Sequence, residues 1–125
     1  MTDEPIPADV RDFILRHIDS VAQLEALLLL RAAPHDTWDV VRTARRLYAD
    51  EQEIADALTR LCESGLLGVS EGVYRYDGAA GELRSNIDRL AEVYSRHLIA
   101  VTNMIHAKLR RIREFADAFK LRKDR

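Results

Sequence analysis

Apolar residues recur at intervals of three and four along most of this chain, which is the spacing of one face of an α-helix. Before residue 65 the pattern predicts four helices, over 8–18, 21–31, 39–47 and 50–64. Ser20 with Gln23 and Asp50 with Glu53 form capping boxes, which satisfy free amide groups at a helix start. Asp39 is a further N-cap candidate, and Gly65 can end the fourth helix because it adopts left-handed backbone cheaply.

Residues 66–76 follow a different pattern, one that favours strands. Segments 66–69 and 73–76 are rich in apolar, β-prone residues, and Ser70–Glu71–Gly72 lies between them as a turn. Trp38, ahead of the third helix, is predicted to pack the first strand against the core. The sequence therefore predicts a short two-stranded hairpin directly after the fourth helix.

From Glu82 onwards the apolar spacing predicts one uninterrupted helix, and its apolar stripe over residues 83–119 is roughly 55 Å long at 1.5 Å per residue. One small domain cannot cover a helix of that length, so we predict a homodimer that buries the apolar stripe. The predicted interface residues are Leu83, Ile87, Leu90, Tyr94, Leu98, Val101, Ile105, Leu109 and Ile112. The alternative is that the helix breaks near Ala107–Lys108 and folds back onto its own domain.

The composition indicates a folded, mainly helical protein. The 125 residues are 47% hydrophobic and 32% charged with only five Gly and three Pro, which argues against extended disorder. The longest apolar run is too short to cross a membrane and the N-terminal segment does not have the pattern of a secretory signal. A single cysteine, Cys62, cannot form an internal disulfide, which fits a reducing compartment. We predict a cytoplasmic location and no membrane partner.

The order of the predicted elements resembles winged helix-turn-helix regulators of the MarR and PadR type. The stretch LTRLCESGLL, residues 58–67, is similar to the end of their recognition helix and the start of the wing. The resemblance covers nearly the whole chain and is greatest for small PadR-like proteins. It implies a mainly α fold, a winged helix-turn-helix with a short two-stranded wing and a long C-terminal helix. Residues 1–77 would form the winged-helix domain with an extra N-terminal helix, and 78–125 the dimerisation helix.

That resemblance implies a transcription-linked regulatory protein that acts as a homodimer, yet its predicted recognition helix is acidic. Duplex DNA carries one negative charge per ~1.7 Å of its axis, so carboxylates on that helix would repel it. The DNA-contact candidates are therefore mostly elsewhere: Arg42, Arg45, Arg46, Arg75, Gln52 and Arg60. The alternative function is a protein-interaction module that docks a basic partner and does not bind DNA. The candidates for that docking are Glu51, Glu53, Asp56 and Glu63.

The charge is divided unevenly along the chain. Residues 1–77 carry 15 acidic and 8 basic side chains, whereas residues 78–125 carry 6 and 11. Such asymmetry favours contact with an oppositely charged partner or between subunits. The alternatives are two differently solvated faces and, for the three arginines at 42–46, a balance against neighbouring acids.

Nothing in the sequence predicts catalysis. The four histidines are not at metal-ligand spacing and Cys62 has no CxxC partner. Neighbouring carboxylates should raise the pKa of Cys62, which favours a buried small side chain over a redox sensor. We predict no enzyme activity, no metal and no cofactor.

Overall fold

The structure is a computed structural model that describes residues 6–77 and 80–123, with side chains described as far as Ala118. Over these residues it is mainly helical with one small antiparallel sheet. The elements are α1 (Ala8–His17), α2 (Val21–Ala32), α3 (Val40–Leu47), α4 (Glu51–Glu63), β1 (Gly68–Ser70), β2 (Val73–Arg75), α5 (Glu82–Arg96) and α6 (Leu98–Lys123). None of the described helices is both long and apolar enough to cross a bilayer.

Helices α2, α3 and α4 begin at the predicted caps. The side chains of Ser20, Asp39 and Asp50 each accept a hydrogen bond from the amide three residues later, at 3.0, 2.7 and 3.1 Å. The buried Gln23 side chain departs from the capping-box prediction, since it accepts from the Asp19 amide at 2.8 Å. Gly65 ends α4 with φ of 79°, as predicted.

The core lies between α2 and the helices around it. Its largest fully buried side chains are Ile14, Ile18, Leu24, Leu27, Leu30, Ile54, Leu58, Leu61, Leu66, Ile87, Leu90 and Ile105. The predicted apolar faces of α1 and α4 are confirmed. On α3 the prediction is partly wrong, because Val41 is exposed while Thr43 is buried. This helix is eight residues long and packs mainly on α4, so the strip of its surface that is buried is narrower than the apolar face predicted from the sequence.

The hairpin is shorter than predicted and is joined to the loop before α3. Leu66 and Leu67 are buried in the core instead of extending β1. Glu71 and Gly72 have φ of 52° and 76°, which gives the two-residue turn that matches the twist of paired strands. The amide of Tyr74 donates to the carbonyl of Trp38 at 2.8 Å. Trp38 is therefore joined through its backbone to the second strand, β2, and not to the first strand as predicted.

The predicted single C-terminal helix is wrong, since the chain forms α5 and α6 instead. The break lies at His97, whose backbone leaves the helical region at φ −133° and ψ 49°, and not near Ala107. The break allows apolar residues of both helices to pack on the same core. A straight helix would carry one of the two segments away from the domain.

This break also corrects the predicted dimer interface. Ile87, Leu90, Val101 and Ile105 are fully buried by the chain itself, so a partner cannot contact them in this conformation. Three other predicted interface residues are half-buried, namely Leu83, Tyr94 and Leu109. Leu98 and Ile112 remain exposed.

Candidate functional site

Helix α3 presents a basic surface to solvent. We define the α3 surface as Val41, Arg42, Arg45, Arg46 and Tyr48, which are all exposed. These side chains line an open hollow of about 550 Å³ together with Asp39. The structure thus brings together the three arginines that the sequence analysis selected on this helix.

The three arginines differ in what they contact. The Arg42 guanidinium lies over the Trp38 ring, 4.7 Å from its centroid, and its Nη1 donates to the Thr37 carbonyl at 2.9 Å. A carboxylate oxygen of Asp36 is 3.7 Å from Arg42 Nη2. Arg45 and Arg46 make no ion pair within the described part of the chain. Their two charges are therefore accessible to an anion, while Arg42 is held in place.

Tyr48 is the part of this surface that sequence reasoning missed. Tyr48 ends α3 in the left-handed conformation, at φ 55° and ψ 43°, and is 96% exposed. That conformation costs roughly 1–2 kcal/mol for a side chain with a Cβ, so helices more often end at Gly or Asn. A large aromatic residue in the short link between two helices was the available signal. Strained, exposed residues of this kind are concentrated at functional sites.

Helix α4 presents the opposite charge. We define the α4 surface as Glu51, Glu53, Asp56 and Glu63, which are exposed as the docking prediction requires. The single basic residue of this helix is Arg60, and its Nη1 lies 3.3 Å from Asp19 Oδ2. This side chain is therefore held by a carboxylate.

The remaining DNA-contact candidates do not add to the α3 surface. Gln52 donates to Asp56 Oδ1 at 3.1 Å, so its amide is occupied within α4. Arg75 is exposed on β2 but does not line the hollow beside α3. Of the six candidates, only the three on α3 form one cluster.

The titratable groups do not suggest a reactive centre. Burial, and then the nearby Glu63 carboxylate, raise the pKa of the Cys62 thiol, which makes it a poor nucleophile at neutral pH. Burial lowers the pKa of His17, assisted by the charges of Arg16 and Lys108. Among the described residues, no group of three His, Cys, Asp or Glu side chains is arranged to hold a metal ion.

Comparison of the chain with protein-family models, with curated proteins and with solved structures finds no match.

Proposed function

We propose that this chain is a transcription-linked regulatory protein with a winged helix-turn-helix fold, and that it binds nucleic-acid phosphates through the α3 surface. The element order supports the proposal: α2, the segment around Trp38 that pairs with Tyr74 of the hairpin, α3, a short turn, α4 and the two-stranded hairpin. In that arrangement α3 and α4 are the helix-turn-helix, and the hairpin is the wing.

The observation that carries the proposal is the two guanidinium groups of Arg45 and Arg46, which form no ion pair with a described residue and lie beside the anchored Arg42. Guanidinium groups bind phosphate oxygens with two parallel hydrogen bonds, which gives both affinity and orientation. The Tyr48 ring at the end of the same helix can pack on a sugar or a base. On α4 the four carboxylates oppose close approach to phosphates. Contact led by α3 therefore fits the charges better than contact led by α4.

Fluorescence anisotropy with a random-sequence duplex, over a range of salt concentrations, tests this function. Arg45→Ala/Arg46→Ala should weaken binding and reduce the slope of log affinity against log salt by about 2, since two phosphate contacts are lost. A matched control is Arg16→Ala/Arg96→Ala, which removes the same charge from exposed positions on α1 and α5. The control should bind more tightly than the α3 variant. Equal losses, or no binding by the wild type at low salt, would contradict the proposal.

A second candidate function is docking of a basic protein on the α4 surface. It is favoured by the four exposed carboxylates and by the pairing of Arg60 with Asp19. A lysine- and arginine-rich helical peptide is a suitable probe. Glu51→Gln/Glu63→Gln should reduce capture of the peptide if this function is correct, and should strengthen duplex binding if α4 only repels DNA. The two functions therefore predict different results for one variant.

A further inference from the structure

Helix α6 extends beyond the core that its first half helps to form. We define the α6 overhang as residues 110–118, all of which are exposed. Ile112 and Phe115 continue, in steps of three and four, the helix face that carries the buried Val101 and Ile105. On the overhang this face is uncovered, since Ile112 is 52% and Phe115 is 75% exposed. A short helical segment with so little of its surface covered gains little stability from tertiary packing.

A groove beside the overhang has the complementary character. It lies between α4 and α6, with Asp19 and Ser20 of the turn before α2 at one side, and encloses about 340 Å³. Ala57, Leu109 and Ile112 give it an apolar floor, and Glu53 and Asp56 are on its acidic side. Neither carboxylate forms an ion pair with a described residue. Arg60, which also lines the groove, is paired with Asp19.

The overhang is basic, whereas acidic residues outnumber the one basic residue of the groove. Its arginines at 110, 111 and 113 outnumber its two acids, Glu114 and Asp117. Arg111 and Arg113 are the sequence neighbours of Ile112, and one residue turns a helix by about 100°, so they flank the apolar face. One chain therefore has both a basic, apolar ridge and an acidic groove with an apolar floor.

We propose that two copies of this chain form a two-fold symmetric dimer in which the α6 overhang of each copy occupies the α4–α6 groove of its partner. A two-fold interface needs a self-complementary surface, and the ridge and groove together are one. Ile112 belongs to both, so the two α6 helices lie side by side and antiparallel across the symmetry axis. The dimer does not depend on nucleic-acid binding, and it buries the overhang in place of the long stripe predicted from the sequence.

A charge-swap experiment tests this arrangement. The groove variant is Glu53→Lys/Asp56→Lys, and the ridge variant is Arg111→Glu/Arg113→Glu. Alone, each places like charges opposite each other and should be monomeric, near the chain mass of 14.3 kDa. Mixed in equal amounts they should form a dimer of one copy of each variant. In one of its two ridge–groove contacts both charges are reversed, and in the other both sides have the natural residues. Light scattering after size exclusion at micromolar concentration measures the mass of the groove variant, of the ridge variant and of their mixture.

Recovery in the mixture also shows that both variants are folded, because misfolded chains could not restore a specific dimer. Circular dichroism of each variant alone checks the same point. A monomeric wild type, dimeric single variants or a mixture that stays monomeric would each overturn the proposal. A monomeric wild type whose duplex binding is lost in the ridge variant would instead assign the overhang to nucleic acid.

Discussion

The ammonium group of Lys108 lies 2.9 Å from Asp19 Oδ1, and this contact fixes α6 to the turn between α1 and α2. Lys108 Nζ also donates to the carbonyls of Ile14 and Ile18, at 3.2 and 2.8 Å, where α1 ends. The other oxygen of Asp19 is paired with Arg60 of α4. Asp19 therefore connects the two helices that form the groove.

Replacing Lys108 should destabilise the protein. The residue's side chain is only 12% exposed and donates to two carbonyls and a carboxylate. Lys108→Met keeps most of the aliphatic stem but removes these bonds, so the free energy of unfolding should fall by about 2 kcal/mol. Arg110→Met, at an exposed position on the same helix, should stay within about 0.5 kcal/mol of the wild type. Urea denaturation measures both, and equal effects would show that the Lys108 contacts contribute little.

Burial should decide the effect of two identical substitutions. Leu58 is fully buried on α4, whereas Leu98 is 52% exposed at the start of α6. Leu58→Ala should cost about 2–5 kcal/mol because it leaves a cavity in the core. Leu98→Ala should cost less than about 1 kcal/mol, since little apolar area leaves the core. Chemical denaturation compares them, and a larger loss at Leu98 would contradict the packing described for these helices.

Acidification should destabilise the fold through His17. Its pKa is lowered in the folded protein, mainly by burial, so the unfolded chain binds a proton more readily. The penalty is absent above the unfolded pKa of about 6.5 and grows as the pH falls below it. His17→Gln should therefore lose less stability than the wild type between pH 7.5 and pH 5.5. Denaturation at the two pH values measures the difference, and parallel losses in both proteins would refute the assignment.

Tyr48 should show opposite effects on stability and on binding. Tyr48→Gly relieves a left-handed penalty of roughly 1–2 kcal/mol and adds about 0.5–1 kcal/mol of unfolded-state entropy, so stability should rise by about 0.5 kcal/mol. Duplex binding should weaken several-fold, because the exposed ring is lost. Tyr48→Phe keeps the ring and should retain binding. Thermal unfolding and anisotropy measure the pair of effects, and unchanged binding by the glycine variant would remove Tyr48 from the interface.

The starts of α2, α3 and α4 and the end of α4 could be predicted because local chemistry determines them. Side-chain caps at Ser20, Asp39 and Asp50 mark the starts, and Gly65 marks an end. The break at His97 could not be predicted in this way. Neither Pro nor Gly is present there, and the apolar spacing continues through positions 94, 98 and 101. The packing of two helices on one core decides it, and that packing is a tertiary property.

The sequence predicted those parts of the candidate surfaces whose residues all lie on one helix. The arginines of α3 and the carboxylates of α4 each belong to a single helix, so periodicity alone brings them together. The α4–α6 groove joins Ala57 to Leu109, which are far apart in sequence. The pairing of Arg60 with Asp19 also depends on how α4 packs against the turn after α1.

The single tryptophan of the chain lies where the loop before α3, the α3 arginines and the hairpin meet. The Trp38 indole donates to the Ala33 carbonyl at 2.9 Å, its backbone holds Tyr74, and Arg42 covers its ring. An anion bound at Arg45 and Arg46, beside the anchored Arg42, would change the electric field around the indole and so shift its emission. The protein thus contains its own optical reporter for occupancy of α3, and unlabelled ligands can be titrated against it.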